Sequence, residues 1–115
     1  MINHKMKGYR TERKIRLALE KNNWRVIRAG GSIGDADLIC VKDGKCIFMQ
    51  VKSTKNKTFY YYGYMGKKLE GIPFYLVVDF GGGRVRMLHP KKKINLNDGM
   101  SLEDYIERNQ INLRL

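Results

Sequence analysis

Apolar positions along this chain follow two periods, one helical and one of alternating strands, and the switch between them lays out the elements. From about Lys7 to Lys21, Tyr9, Ile15, Ala18 and Leu19 fall on one stripe at helical spacing while basic residues take the remaining positions, which predicts an opening helix. Glu12 interrupts that stripe. A carboxylate on an apolar face needs a cation beside it, and either an ion pair with Arg13 or Arg16 or a place in a metal site would supply one. Trp24 to Arg28 alternates and predicts a strand. Ala29-Gly30-Gly31-Ser32-Ile33-Gly34 is a glycine-rich loop; it lacks the Gly-Lys-Ser/Thr of a phosphate-binding P-loop and does not match the dinucleotide fingerprint.

Ala36 to Val41 and Lys45 to Lys52 are strand-like runs separated by Asp43-Gly44, a dipeptide suited to a two-residue hairpin turn. Both faces of the runs are largely apolar, so the hairpin is expected inside a covered sheet. The stretch Thr54 to Tyr64 mixes Lys55 and Lys57 with Phe59, Tyr60, Tyr61, Tyr62 and Tyr64. That composition suits contact with nucleic-acid backbone and bases, and it equally suits packing in a strand or between subunits. A short helix is expected around Gly66 to Glu70. Ile72 to Phe80 is a strongly apolar strand, Gly81-Gly82-Gly83 turns it into Arg84 to His89, and Pro90 with Lys91 to Lys93 ends the sheet. Ser101-Leu102-Glu103-Asp104 has the form of a helix start with a serine N-cap, leading to a short amphipathic helix with Leu102, Tyr105 and Ile106 on one side. No internal repeat or long linker divides the chain, so its 115 residues are read as a single domain with one core.

Charge narrows the partners. Lys and Arg number 23 against 11 acidic residues, a net charge of +12, and such a field attracts polyanions, with counterion release driving binding to nucleic acid. An anionic membrane surface is the alternative, but no amphipathic membrane helix stands out and the basic residues recur along the whole chain. No apolar run approaches the roughly 18 residues needed to span a bilayer, and Met1 to Lys7 lacks a signal-peptide layout. A cytoplasmic location is expected, in the host cell if the source is viral. Cys40 and Cys46 cannot form a zinc cluster by themselves, and His4 and His89 are too far apart in sequence to make a ligand motif. Free thiols are expected.

The hairpin carries the candidate chemistry. With Asp43 and Gly44 as the loop, Lys42 pairs with Lys45, Val41 with Cys46, and Asp37 comes to stand across from Gln50 on the same face. Lys52 projects from that face two residues further on, opposite Asp35. The same register puts Cys40 and Cys46 on opposite faces, which excludes a disulfide between them. Phosphodiester hydrolysis needs a hard cation to polarise the phosphate and help generate hydroxide, and such cations prefer oxygen ligands. Asp37 offers a charged oxygen, Gln50 a neutral one and Val51 a backbone carbonyl, while Lys52 can orient or deprotonate a water or offset charge on the phosphate. The bland alternative is an Asp37–Lys52 ion pair beside a buried, hydrogen-bonded Gln50.

Gly8-Tyr9-Arg10-Thr11-Glu12-Arg13, Arg28-Ala29-Gly30-Gly31-Ser32, Ala36-Asp37-Leu38-Ile39, Gln50-Val51-Lys52-Ser53 and Gly71-Ile72-Pro73 occur in that order. Together they resemble the archaeal-type Holliday junction resolvases of the PD-(D/E)xK nuclease superfamily, over most of residues 8 to 90. The resemblance implies an α/β fold with a restriction-endonuclease-like core, a mixed central sheet flanked by helices. It also implies a homodimer and Mg²⁺-dependent paired nicking of four-way, branched DNA junctions, with Mn²⁺ able to substitute. Carried over by position, it makes Glu12 an outer metal-site carboxylate, Asp37 a direct metal ligand and Lys52 the catalytic lysine. Ser32 matches a loop serine implicated in activity, and Arg13 and Arg28 match basic positions near the site. Arg10, Lys55 and Lys57 complete the expected DNA-contacting set. Three departures stand out: Gln50 replaces the usual glutamate, Ala36 replaces a loosely kept proline, and the segment from Lys52 to Ile72 is short, with Asp79 where a basic residue is expected.

Other nuclease classes fit less well, since the chain has no histidine cluster and few acidic residues for a four-carboxylate site. Two readings compete with a junction resolvase. One is a related nuclease acting on nicks, flaps or restriction-like sites; the other is a DNA-binding relative that lost cleavage through Gln50.

Overall fold

In the computed structural model, which describes the backbone of residues 4–113 and the side chains of residues 8–110, helix α1 covers His4–Glu20. Its buried stripe is Thr11, Ile15 and Leu19, one residue per turn. Tyr9, expected on that stripe, falls off it and is 46% exposed, with the Arg28 guanidinium 5.0 Å from its ring centroid. The helix closes in a Schellman motif. Trp24 donates its N–H to the Leu19 carbonyl at 3.1 Å and Asn23 donates to Glu20 at 3.2 Å, with Asn23 in the left-handed region at φ 71°.

The strands that follow are β1 (Arg25–Arg28), β2 (Leu38–Lys42), β3 (Lys45–Ser53), β4 (Thr58–Tyr60), β5 (Lys68–Leu69), β6 (Ile72–Asp79), β7 (Val85–Leu88), β8 (Lys93–Asn95) and β9 (Met100–Ser101), and helix α2 (Leu102–Leu113) closes the described chain. The main sheet runs β1-β2-β3-β6-β7-β9, with β5 paired on β6, and β4 and β8 form a separate ribbon. β3 and β6 are parallel while the other neighbours are antiparallel, so the sheet is mixed as expected.

Two expectations are corrected. The segment expected as a helix around Gly66 to Glu70 folds back as strand β5, because Glu70 and Gly71 take φ values of 53° and 78° and form a tight turn that lays Leu69 against Ile72. The sheet also does not end at Lys91 to Lys93. Lys93–Asn95 pairs with β4, and Met100–Ser101 rejoins the main sheet beside β7.

Both helices pack on one face. There Leu38, Cys40, Ile47, Met49 and Val77 meet Ile15 and Leu19 of α1 and Leu102, Tyr105 and Ile106 of α2. The opposite face is covered differently. Over its β6 end, Leu76, Val78 and Phe80 are sealed by Tyr61 and Ile94 beside the β4–β8 ribbon. Over β3 and the start of β6, Phe48 and Phe74 pack with Ala36 and half-buried Ile33, Ile39, Cys46, Leu69 and Ile72. Cys40 and Cys46 are free and belong to clusters on opposite faces, as the hairpin register requires. No helix among the described residues is long and apolar enough to cross a membrane.

The N-cap of α2 is as expected: Ser101 Oγ accepts the Asp104 N–H at 3.0 Å, and Glu103 and Asp104 sit in the first turn. Ser101→Ala should cost about 1 kcal/mol and lower the melting temperature by roughly 4–8 °C. An unchanged thermal melt would show that α2 is held by its apolar face alone.

Candidate active site

The hairpin turn sets the register of the site. Asp43 and Gly44 adopt φ values of 48° and 80°, the left-handed pair a two-residue turn needs. Pairing then runs as expected from Lys42↔Lys45 out to Leu38↔Met49. There the ladder stops. Asp37 donates its N–H to the Met49 carbonyl at 2.8 Å, and its Oδ2 accepts the Val51 N–H at 2.7 Å. Asp37 therefore does not stand squarely across from Gln50. Ala36 packs with Phe48 and Phe74 on the face opposite Leu38, so the chain takes a bulge-like step at Asp37.

At this step the carboxylate lies within electrostatic reach of groups from three other elements. Burial pushes the Asp37 carboxyl above its ordinary value, while the Val51 N–H pulls it down. Glu12 of α1 then pushes it up, Lys52 of β3 pulls it down, and Asp35 of the preceding loop pushes it up again. Glu12, Asp37 and Lys52, singled out in the sequence, are thus neighbours in space. Asp35 joins them; its carboxylate also accepts the Tyr64 N–H at 2.7 Å.

Gln50 is 9% exposed, and its Oε1 accepts a hydrogen bond from the Tyr61 hydroxyl. Tyr61 is a site residue that the sequence reading missed. The signal was its period: Phe59 and Tyr61 turn inward while Tyr60 and Tyr62 face out. Burial, then Asp35 and Asp37, push the Tyr61 hydroxyl up to about 12, so it stays protonated and donating at any ordinary pH. Gly63 makes room for it, since a Cβ at that position would collide with the Tyr61 hydroxyl and ring edge.

The remaining expected residues divide. Glu12 pairs with Arg28 at 3.2 Å rather than with Arg13 or Arg16, and Arg16 lies 3.8 Å from Glu20. Ser32 is exposed, and its hydroxyl donates to the Ala29 carbonyl within its own turn, so it is not brought onto the carboxylates. Arg10, Arg13, Lys55 and Lys57 are exposed and, among the described residues, make no ion pair. Asp79 is buried and answers Lys14 at 2.9 Å, pinning α1 to the end of β6.

Among the described residues no three His, Cys, Asp or Glu side chains cluster in a way that could hold a metal ion. The donors near Asp37 are nonetheless all oxygen, the kind Mg²⁺ and Mn²⁺ prefer: its own carboxylate, the Gln50 amide and the Val51 carbonyl. The Val51 N–H already faces Asp37, and a strand residue's carbonyl leaves the same edge as its N–H. Burial and two neighbouring carboxylates leave Asp37 short of positive charge, which a divalent ion would relieve. The residues fit such an ion with few charged ligands.

The raised Asp37 value has a measurable sign. The folded state takes up the proton more readily than the unfolded one. The linked stability is therefore full below the ordinary value of 3.8 and is lost as pH rises through the shifted one. Without divalent cations, Asp37→Asn should raise the melting temperature at neutral pH, with the gain shrinking as the pH falls toward that range. A mutant that melts lower than the parent at neutral pH would contradict this balance of charge.

Comparison with known proteins places the chain in a family. The model of the archaeal Holliday junction resolvase (hjc) family matches residues 3–112. Among solved structures, the Holliday junction resolvase Hjc of Archaeoglobus fulgidus superposes with a TM-score of 0.68 at 19% identity, covering 88% of this chain and 96% of that one. No curated protein sequence matches significantly.

Proposed function

The chain belongs to the archaeal Holliday junction resolvase family, whose members are junction-resolving nucleases, and on that premise we propose a Mg²⁺-dependent active site made of Asp37, Gln50, the Val51 carbonyl and Lys52, with Glu12 outside it. The observation that carries the reading is the convergence of Glu12, Asp37 and Lys52 where β2 leaves β3. When bound, the ion supplies polarisation of the scissile phosphate and a hydroxide at neutral pH. Lys52 orients the attacking water or offsets charge building on the phosphate, and Tyr61 holds the Gln50 amide in place. Arg28 holds Glu12 beside the site through a 3.2 Å ion pair. Arg10, Arg13, Lys55 and Lys57 hold the DNA backbone. A cytoplasmic location suits this chemistry.

We further propose a two-fold dimer that cuts the two strands of a junction symmetrically. Its support is the sheet face without helices, where Ile27, 48% exposed, pairs across to half-buried Ile39, with Cys46 and Ile72 nearby. Sedimentation at micromolar concentration should give a dimer, and Ile27→Glu a monomer; a parent chain that stays monomeric even on DNA would remove the paired-nicking reading.

One observation favours a second reading, a DNA-binding relative without cleavage: the Gln50 oxygen already has the Tyr61 hydroxyl on it. Incubating the protein with a mobile four-way junction and a linear duplex of equal length, with and without Mg²⁺, separates the two. The nuclease should nick the junction in paired fashion and leave the duplex. Asp37→Asn should abolish cleavage while binding persists, since binding rests on the basic residues. Gln50→Glu should lower the Mg²⁺ concentration giving half-maximal cleavage, and Mg²⁺ should raise its melting temperature more than that of the parent. Equal Mg²⁺ dependence in both measurements would take Gln50 out of the site.

A further inference from the structure

The β4–β8 ribbon has two dissimilar sides. Inward, Phe59 and Tyr61 pack on Leu76 and Val78 with Ile94, and the Tyr61 hydroxyl reaches Gln50 in the active site. Outward, Tyr60 is 55% exposed and Tyr62 80%, the most exposed of the large apolar side chains. Tyr60 pairs across the ribbon with Lys93, and the residue before it, Lys92, accepts the Tyr61 N–H on its carbonyl at 2.8 Å. Lys55 and Lys57 lead into the same strand, and all four lysines are exposed. Among the described residues none of the four has an ion-pair partner. Hydrated ammonium groups around two exposed phenol rings make this surface basic and aromatic at once, which matches an anionic partner with flat apolar faces.

Unpaired nucleotides have that chemistry, with a charged backbone and π-faces that stack on aromatic side chains. A second copy of the chain does not, because a two-fold contact would set this basic surface against itself. We propose that the outer side of the β4–β8 ribbon binds unstacked nucleotides at the branch point, Tyr60 and Tyr62 stacking on bases while Lys92 and Lys93 hold the adjoining phosphates. Base faces are open at a branch and closed in a continuous duplex. The ribbon therefore contributes preference for branched DNA, and its link through Tyr61 sets that contact beside the cleavage site. The assignment rests on the nuclease reading for the identity of the polyanion.

The test is a fluorescence-anisotropy titration of the full chain with a labelled four-way junction, a linear duplex and a single strand, in Mg²⁺-free buffer at two salt concentrations. The Tyr60→Ala/Tyr62→Ala double variant should lose about tenfold or more in affinity for junction and single strand. Its duplex affinity and salt dependence should be unchanged. Lys92→Ala/Lys93→Ala should flatten the salt dependence for the junction. Equal junction affinity in parent and tyrosine variant overturns the ribbon assignment and leaves the nuclease reading intact. A parent that binds no DNA overturns both. Sedimentation of the tyrosine variant guards the alternative: a dimer lost with these side chains would make the surface a subunit contact and overturn the proposal.

Discussion

The hydrogen bond from the Val51 N–H to the Asp37 carboxylate, 2.7 Å long, stands where a backbone carbonyl of β2 would have stood had the ladder continued. A side chain thus completes the edge of β3 after the partner strand has left it, and this substitution generates the site. The buried N–H needs an acceptor, so Asp37 is held against β3, close to Gln50 and Lys52. The departing chain is meanwhile free to run through Asp35 toward the segment around Tyr64. Had β2 continued in register for two more residues, Asp37 would have faced Gln50 across a regular ladder. The open edge would then lie further along, away from Glu12.

That departure is possible because the two faces of the sheet are covered so unequally. Both helices lie on one face, where Ile15, Leu19, Leu102, Tyr105 and Ile106 close a continuous apolar layer. This layer fixes α1, and with it Glu12, against the sheet. The Lys14–Asp79 pair repeats the constraint at the end of β6. Among the described residues the other face carries no helix; a ribbon, loops and half-buried apolar side chains around Phe48 and Phe74 cover it. One face holds Glu12 and Asp37 rigidly against the sheet, and the other leaves apolar side chains half-buried.

Much of this was legible in the residues. Asp43-Gly44 dictated the turn and so the register. Alternation marked β1, apolar runs marked β2, β3 and β6, the triple glycine turned β6 into β7, and Ser101 announced α2. What escaped notice did so for physical reasons. Glu70-Gly71 makes a tight turn that pairs β5 with β6, but glutamate is a poor residue for positive φ and gave no turn signal. Strands β8 and β9 are two or three residues long, too short to display a period. Tyr9 looked apolar and helical, yet it is drawn to Arg28 at the surface, where a flat ring can meet a guanidinium. The bulge-like step at Asp37 was invisible because it depends on a side chain replacing backbone, which no alternation pattern encodes. Ser32 was carried over by resemblance alone, and its hydroxyl is engaged within its own turn.

Gln50 is where these constraints meet. A glutamate in its place would add a third acidic group around Asp37, alongside Glu12 and Asp35, in a region where burial already disfavours the ionised carboxyl. Glutamine keeps the oxygen and removes that repulsion, but a neutral amide attracts a cation less strongly and must be oriented by other means. Tyr61 supplies the orientation: its hydroxyl stays protonated, points at the Gln50 oxygen, and is fixed by packing against Leu76 and Val78. An amide oxygen has two lone pairs, so the tyrosine occupies one and leaves the other. The ribbon that carries Tyr61 is therefore part of the site's architecture, and movement of its outer surface would be felt at Gln50. In this chain the charge lost at one position is answered by geometry brought in from a different strand.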